Sequence, residues 1–180
     1  MNYEQNKYRI PSARLANWDY GSNGFYFVTI CTLNRFPYFG EIVDTQTIQE
    51  PAYLHKTQIG ETAFRFWTEI SNHFPFVELD EFIFMPDHMH GLLLFNKPAY
   101  DEWNVNKAGP QSQNLGAVMR GYKAGVKSYA TKNNIDFAWQ SRYYDRVVKS
   151  TDELQRIRKY IADNPSKWQE EKGNPENLYR

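Results

Sequence analysis

The stretch Glu81-Phe-Ile-Phe-Met-Pro-Asp-His-Met-His-Gly-Leu-Leu-Leu-Phe95 contains the clearest fold signal in this chain of 180 residues. It holds two short apolar runs, residues 81–85 and 88–95, which are separated by Pro86-Asp87. Apolar runs on both sides of a proline turn predict two strands with a tight connection. The second run is apolar at almost every position except its histidines, so we expect that strand to lie in mid-sheet.

Further strands and helices follow from the pattern on both sides of this stretch. Residues 24–33 are β-branched and aromatic on both faces and predict a central strand, and residues 143–148 predict a shorter one. Apolar residues recur at helical spacing in residues 59–74 and 115–129, which predicts a helix in each. Residues 34–56 contain two prolines and are predicted to be a connection.

A last helix is predicted to begin at Ser150, because Ser150-Thr-Asp-Glu153 is a capping box. It should end before Asn164-Pro165, since the residue before a proline disfavours the helical conformation, and Pro165 can open a short helix through Trp168. The order is then strand, helix, strand, strand, helix, strand and terminal helix. This order predicts an α+β, ferredoxin-like βαββαβ fold, an antiparallel sheet with helices on one face plus a C-terminal helix.

The length predicts a single domain at 1–180, with an N-terminal arm at 1–20 and a C-terminal tail at 165–180. Apolar residues make up 41% of the chain and aromatic residues 17%, which excludes a disordered or low-complexity protein. A single cysteine, Cys31, excludes an internal disulfide and a Cys-based zinc cluster. Neither a long apolar run nor a secretory signal is present, so we expect a cytoplasmic protein.

The charges are balanced overall but unevenly distributed along the chain. There are 21 Lys and Arg against 21 Asp and Glu. Residues 1–110 hold eight basic against 13 acidic residues, and residues 111–180 hold 13 against eight. Such asymmetry is expected where one face meets a polyanion, and also where solvated helices simply carry Lys and Arg.

Two histidines, His88 and His90, stand at alternate positions of the predicted central strand. Alternate residues of a strand point the same way, so both imidazoles share one face and can hold one divalent ion. They could equally be half-buried histidines that only hydrogen-bond to neighbours. Because unpaired polar groups are costly to bury, their place in an apolar strand favours a function.

The last helix carries Tyr160 and Asn164 four residues apart, on one helical face. Leu154, Ile157 and Ile161 form the predicted buried stripe, and Tyr160 and Asn164 lie along its edge. Side chains at that edge can reach over the sheet. The alternatives are a tyrosine that only packs and an Asn-Pro pair that only ends the helix.

These segments together resemble a known family. Met85-Pro-Asp-His-Met-His-Gly91 resembles the histidine–hydrophobe–histidine (HUH) motif of single-tyrosine transposases, and Tyr160-Ile-Ala-Asp-Asn-Pro165 resembles the motif of their catalytic helix. Residues 139–148 resemble the segment that precedes this catalytic motif, and residues 26–35 and 39–40 resemble the opening strand of the branch called REP-associated tyrosine transposases. The motifs occur in the family's order, and the likeness covers residues 8–170. That branch more often has Asn at position 87, where Asp87 adds a carboxylate that can bind a metal or orient a ligand.

The resemblance implies a transposase, a metal-dependent endonuclease and strand transferase that cleaves and rejoins single-stranded DNA at hairpins through a 5′-phosphotyrosine. Tyr160 would be the nucleophile of the catalytic helix, and His88, His90 and Asn164 would hold Mg²⁺ or Mn²⁺. Chemistry supports these roles, because an enzyme that conserves the energy of a phosphodiester bond needs a nucleophile of its own. A phenol with a pKa near 10 also needs a cation beside the phosphate.

The implied partner is single-stranded or hairpin DNA, bound by a monomer or homodimer. Basic residues that we expect to contact the DNA are Arg14, Arg35, Arg120, Lys123, Lys127, Arg142, Arg146, Lys149 and Arg158. Two alternatives stay open at this point. One is a non-catalytic module that binds single-stranded nucleic acid on a ferredoxin-like sheet, and the other is a metal-dependent hydrolase that uses water as nucleophile.

Overall fold

Six strands, four α-helices and one short 3-10 helix (Leu33–Arg35) are found in the part of the chain that the computed structural model describes, which is residue 15 and residues 18–43, 52–98 and 113–171. In chain order the strands and α-helices are β1 (Gly24–Cys31), β2 (Gly40–Val43), β3 (Tyr53–Lys56), α1 (Gln58–Thr68), α2 (Ile70–His73), β4 (Val77–Met85), β5 (His88–Phe95), α3 (Leu115–Lys132), β6 (Tyr144–Val147) and α4 (Thr151–Glu171). Most of the predicted N-terminal arm and the end of the predicted tail lie outside these residues. No helix in the described ranges combines the length and the apolar character needed to cross a membrane.

Four strands form one antiparallel sheet in the order β4-β5-β1-β6. Strands joined through a helix, β1 with β4 and β5 with β6, are each separated in the sheet by one intervening strand. This is the ferredoxin-like order, so the predicted fold is confirmed. Strands β2 and β3 pair separately, inside the region predicted as a connection. Each has only four residues, too few to give a clear periodic signal.

The pleat of the central strands divides the sheet into two faces. Tyr26 and Val28 of β1 point to the face that α1 and α3 cover, where the larger apolar core lies. Phe27 and Leu92 point to the other face and pack against Leu154 of α4. The expectation of helices on one face therefore holds for α1 and α3, whereas α4 lies on the opposite face.

Helix α4 continues through Pro165, so the predicted stop before Asn164-Pro165 is wrong. A proline inside a helix removes one main-chain hydrogen bond and costs about 3 kcal/mol. One contact beyond the proline depends on this continuation, because the ring of Trp168 lies 5.9 Å from the ring of His88. Packing of the whole helix against the sheet thus overrides the local preference.

The helix predicted for residues 59–74 is divided at Glu69 into α1 and α2. Just before the division, the hydroxyl of Thr68 donates to the carbonyl of Arg65 at 2.7 Å. The main-chain N–H of Glu69 donates to the same carbonyl at 3.1 Å. Side-chain hydroxyls that bond to the nearby main chain compete with the regular helical pattern. Periodicity of the apolar residues alone does not reveal such a break.

Gly91 of β5 faces the larger core, opposite the ring of Trp67 in α1. A Cβ at this position would lie 2.2 Å from Cζ2 of Trp67. We expect Gly91→Ala to lower the free energy of unfolding by about 1–3 kcal/mol through overpacking, measured by chemical denaturation. In a Trp67→Phe background, which removes the opposing ring atoms, the same substitution should cost clearly less. An equal cost in both backgrounds would contradict this packing.

Candidate active site

Strand β5 brings two imidazoles together on the face of the sheet that α4 covers. The Nε2 atoms of His88 and His90 lie 3.1 Å apart. Their side chains are buried, with 1% and 0% exposure. Two nitrogens that bind one cation at about 2.1 Å each lie roughly 3.0–3.4 Å apart. The separation therefore suits two ligands of one ion.

Burial lowers the pKa of both imidazoles. Loss of hydration is the main cause for His90, whose pKa lies well below its ordinary value, and the nearby His88 and Arg35 lower it further. Loss of hydration also dominates for His88, although the hydrogen bond to Asp87 opposes it. Both rings are therefore neutral at pH 7, the form that has a lone pair for a cation.

Each imidazole has a hydrogen-bond partner at Nδ1. The Asp87 carboxylate lies 2.7 Å from Nδ1 of His88, and the hydroxyl of Thr29 lies 2.8 Å from Nδ1 of His90. Arg35 holds both oxygens of Asp87, at 2.9 Å from Nε and 3.0 Å from Nη2. Asp87 therefore orients a histidine. Arg35, expected as a DNA contact, has this carboxylate as its partner.

Tyr160 of α4 places its hydroxyl beside the imidazole pair. Its Oη lies 3.3 Å from Nε2 of His90, and the two rings meet nearly edge to face at 5.1 Å. Phe27 packs against both rings, at 5.5 Å from His90 and 6.3 Å from Tyr160. Leu154 and Ile161 are buried in the same cluster. Tyr160 itself is half-buried, as its predicted place at the edge of the buried stripe required.

Asn164 lies one helical turn after Tyr160 and is only 1% exposed. Its Nδ2 donates to the carbonyl of Tyr160 at 3.4 Å. Its Oδ1 is buried and has no hydrogen-bond partner among the described residues. An unpaired polar atom in a protein interior costs about 1–3 kcal/mol, so such an atom calls for a ligand. Asn164 is more deeply buried than the edge position predicted.

The candidate donors are two imidazole nitrogens, which lie together, and the unpaired amide oxygen of Asn164, one helical turn beyond Tyr160. No group of three or more His, Cys, Asp or Glu side chains that could hold a metal occurs in the described part of the chain. An oxygen-containing set with few protein ligands suits Mg²⁺ or Mn²⁺, and the imidazoles favour Mn²⁺. The residues present therefore fit the cation that the sequence led us to expect.

The basic residues of α3 are separated from the imidazoles by the sheet. The ammonium group of Lys123 donates to the carbonyl of Gln140 at 2.6 Å, and that of Lys127 donates to the carbonyl of Phe137 at 2.7 Å. Arg120 is exposed on the same helix. The two lysines thus fasten the segment after α3 to the helix. The excess of basic residues in the second part of the chain is spread over two sides of the sheet.

Two candidates near α4 form ion pairs with carboxylates. Arg146 donates to Glu153 at 2.6 Å, and Arg158 binds both oxygens of Asp80 at 3.0 and 2.5 Å. Glu153 also accepts from the N–H of Lys149, and its own N–H donates to Ser150 Oγ, which confirms the predicted start of α4. The remaining candidates are Arg142 and Lys149, whose side chains are exposed, and Arg14, which lies outside the described residues.

Sequence reasoning missed two residues of this site, Thr29 and Trp168. Thr29 lies directly across from His90 in the pairing of β1 with β5, a register that one strand's sequence does not reveal. Trp168 follows Tyr160 by two helical turns and packs on His88. Its helical spacing was a usable signal, but the predicted stop at Pro165 separated it from the helix.

No family model matches this chain. The chain is 34% identical over 169 residues to an uncharacterized protein of Haemophilus influenzae, and the match covers 89% of this chain and 90% of that protein. The chain belongs to the family of that protein. Its structure is similar to a REP-associated tyrosine transposase bound to a REP hairpin, with a TM-score of 0.56 and 14% identity over 88% of this chain and 74% of that one. This chain therefore has the same fold as that transposase, as the resemblance of its motifs implied.

Burial of two neutral imidazoles makes the stability of the chain depend on pH. Their pKa values lie below the unfolded value near 6.5, so in acid the unfolded chain takes up protons that the folded chain does not. We expect the free energy of unfolding to fall below about pH 6.5, by at most ~1.4 kcal/mol per pH unit for each histidine. Chemical denaturation between pH 5 and 8, with a chelator present to keep the imidazoles free of metal, measures this pH dependence.

The matched control for this pH dependence is the double variant His88→Asn/His90→Gln, which keeps polar side chains of similar size. Between pH 5 and 6.5, the free energy of unfolding of this variant should change less with pH than that of the natural chain. If both proteins lose stability equally over that range, other groups cause the effect.

Proposed function

We propose that this chain is a metal-dependent endonuclease and strand transferase, a transposase-type enzyme that cleaves and rejoins single-stranded DNA through a 5′-phosphotyrosine. The observation that supports it most is the convergence of Tyr160 with the imidazole pair, the phenol oxygen being 3.3 Å from Nε2 of His90. A tyrosine hydroxyl beside two imidazoles and an unpaired amide oxygen has the parts that such a reaction needs.

Tyr160 is the proposed nucleophile. Its oxygen forms a bond to phosphorus while the bond from phosphorus to the 3′ oxygen breaks, so the phenol loses a proton and the 3′ oxygen gains one. The covalent link keeps the energy of the phosphodiester, and a 3′ hydroxyl can later attack it and rejoin the strand. Packing of the ring against Phe27 and His90 holds the phenol in a fixed orientation, which favours attack.

His88, His90 and Asn164 are the proposed holders of Mg²⁺ or Mn²⁺. A bound divalent ion would offset charge on the phosphate and on the oxygen atoms that gain charge during the reaction. The protein's own contribution is to keep three donors in place, two of them through partners at Nδ1. The buried, unpaired Oδ1 of Asn164 supports its assignment as the third donor.

Hairpin DNA is the proposed substrate, because the REP-associated tyrosine transposase with the similar fold is bound to a REP hairpin. The exposed Arg142 and Lys149, on either side of β6, are proposed contacts to the phosphate backbone. A binding module without catalysis would offer an uncovered sheet face with stacking aromatics. Here α1 and α3 pack on one face and α4 packs on the other, which favours the enzyme.

We expect Tyr160→Phe to abolish a covalent adduct with DNA and to leave the fold and the DNA affinity nearly unchanged, since only a hydroxyl is lost. The assay is a denaturing gel of labelled single-stranded hairpin DNA with Mn²⁺. Tyr144→Phe is the matched control, because Tyr144 packs in the same apolar cluster, and it should keep the adduct. Strand cleavage without an adduct would indicate a hydrolase, and a shift without cleavage would indicate a binding module.

Removal of a metal donor should weaken Mn²⁺ binding before any DNA is added. We expect His88→Ala and His90→Ala each to lose cleavage and to lower Mn²⁺ affinity by more than tenfold in calorimetry. Asn164→Ala should lower affinity less, because water can replace one neutral oxygen ligand. Wild-type cleavage in either histidine variant would disprove the two-imidazole site.

A further inference from the structure

The two imidazoles of the site differ in the kind of group that faces Nδ1. His88 faces the carboxylate of Asp87 at 2.7 Å. Nη2 of Arg35 also lies 3.2 Å from Nδ1 of His88, but the contact to the carboxylate is the shorter one. An ionised carboxylate only accepts hydrogen bonds, so the shorter contact places the proton of neutral His88 on Nδ1. Nε2 of His88 then always carries a lone pair. His90 faces the hydroxyl of Thr29 at 2.8 Å, and a hydroxyl can donate or accept.

Asp87 is held firmly enough to fix its histidine. Arg35 binds both carboxylate oxygens, and the N–H of Thr32 donates to the Asp87 carbonyl at 3.0 Å. Asn34 and Arg35 have φ values of 53° and 56°. Left-handed backbone at residues other than glycine costs about 1 kcal/mol or more each. These two strained residues lie in the turn that brings the guanidinium of Arg35 to Asp87.

The 3.1 Å contact between the two Nε2 atoms then decides the tautomer of His90 in the cation-free protein. Because His88 presents a lone pair there, a neutral His90 bonds to His88 only if its proton is on Nε2. The other tautomer would set two lone pairs 3.1 Å apart, with the longer contact of 3.3 Å to the hydroxyl of Tyr160 in compensation. With the proton on Nε2, Nδ1 of His90 accepts from the hydroxyl of Thr29. Binding a cation at both Nε2 atoms requires the opposite tautomer, with the proton on Nδ1 and Thr29 as acceptor.

We propose that Thr29 is a positioning residue that lets His90 exchange its tautomer when a divalent cation binds, while Asp87 and Arg35 keep His88 in one tautomer. In the exchange His90 gives up the proton on Nε2 and takes one at Nδ1, so its charge stays zero. The hydroxyl of Thr29 turns from donor to acceptor. The inference rests on the proposed metal site, but it concerns the protein without DNA.

Nitrogen NMR of the histidine-labelled chain at pH 8, without DNA, tests the tautomers directly. In the presence of a chelator, His88 should show a protonated Nδ1 and His90 a protonated Nε2. Addition of Zn²⁺, a diamagnetic probe that imidazole binds readily, should move the proton of His90 to Nδ1 and leave His88 unchanged. A protonated Nδ1 on His90 before Zn²⁺ is added would overturn the inference.

Variants of Thr29 test the role of its hydroxyl. We expect Thr29→Val to weaken Mn²⁺ binding about tenfold in calorimetry, since the Nδ1–H of His90 is then buried without an acceptor. Thr29→Ser keeps the hydroxyl and should bind within about threefold of the natural chain. Thr62→Val is the matched control, a buried threonine in α1 whose hydroxyl donates to the carbonyl of Gln58, and it should bind normally.

The results of these experiments distinguish a failure of the inference about Thr29 from a failure of the proposed metal-dependent function. The inference would be overturned if Thr29→Val bound Mn²⁺ normally, or if Thr29→Ser bound it as weakly as Thr29→Val. Either result would show that the hydroxyl of Thr29 does not turn from donor to acceptor to assist cation binding, whatever the result with DNA. Failure of the natural chain to bind Mn²⁺ would overturn the proposed metal-dependent function, while the tautomers in chelator would still test the hydrogen-bond assignment. Because NMR reads the natural chain, the inference stays testable even if a variant fails to fold.

Discussion

The pleat of β5 is the constraint on which both sides of the molecule depend. Odd-numbered residues of this strand face the larger core, where the missing side chain of Gly91 makes room for the ring of Trp67. Even-numbered residues face α4, and they include His88 and His90. A slip of the strand by one residue would move every side chain to the wrong face, so the apolar core fixes the strand register. The imidazole pair is therefore positioned by packing that lies on the other side of the sheet.

Helix α4 supplies the second half of the site, and it does so against its local preference. Tyr160, Asn164 and Trp168 stand at successive turns of one face, and the continuation of α4 through Pro165 is what brings Trp168 to His88. Burial of Ile161 and Leu154 beside them anchors the helix, and each fully buried side chain of this kind contributes about 1.5–3 kcal/mol.

Three ion pairs between arginines and carboxylates connect different parts of the molecule. Arg35 with Asp87, Arg146 with Glu153 and Arg158 with Asp80 each join different elements, so they act as ties between them. Exposed ion pairs contribute little to stability. The pair of Arg35 with Asp87 differs because its carboxylate also contacts His88. This ion pair therefore serves to orient His88, a proposed metal donor.

The sequence by itself determined the order of the four strands of the main sheet and of the helices between them, although it missed β2 and β3. It also determined the hairpin at Pro86-Asp87 and the sharing of one face by His88 and His90, because strand and helix periods are local properties of a chain. It also placed Tyr160 and Asn164 on one helical face. Only the tertiary structure decided that α4 runs through Pro165, that Thr29 meets His90 and that Lys123 binds a main-chain carbonyl. Those outcomes depend on contacts between residues far apart in sequence, whose packing energy exceeds the local preferences that a pattern records.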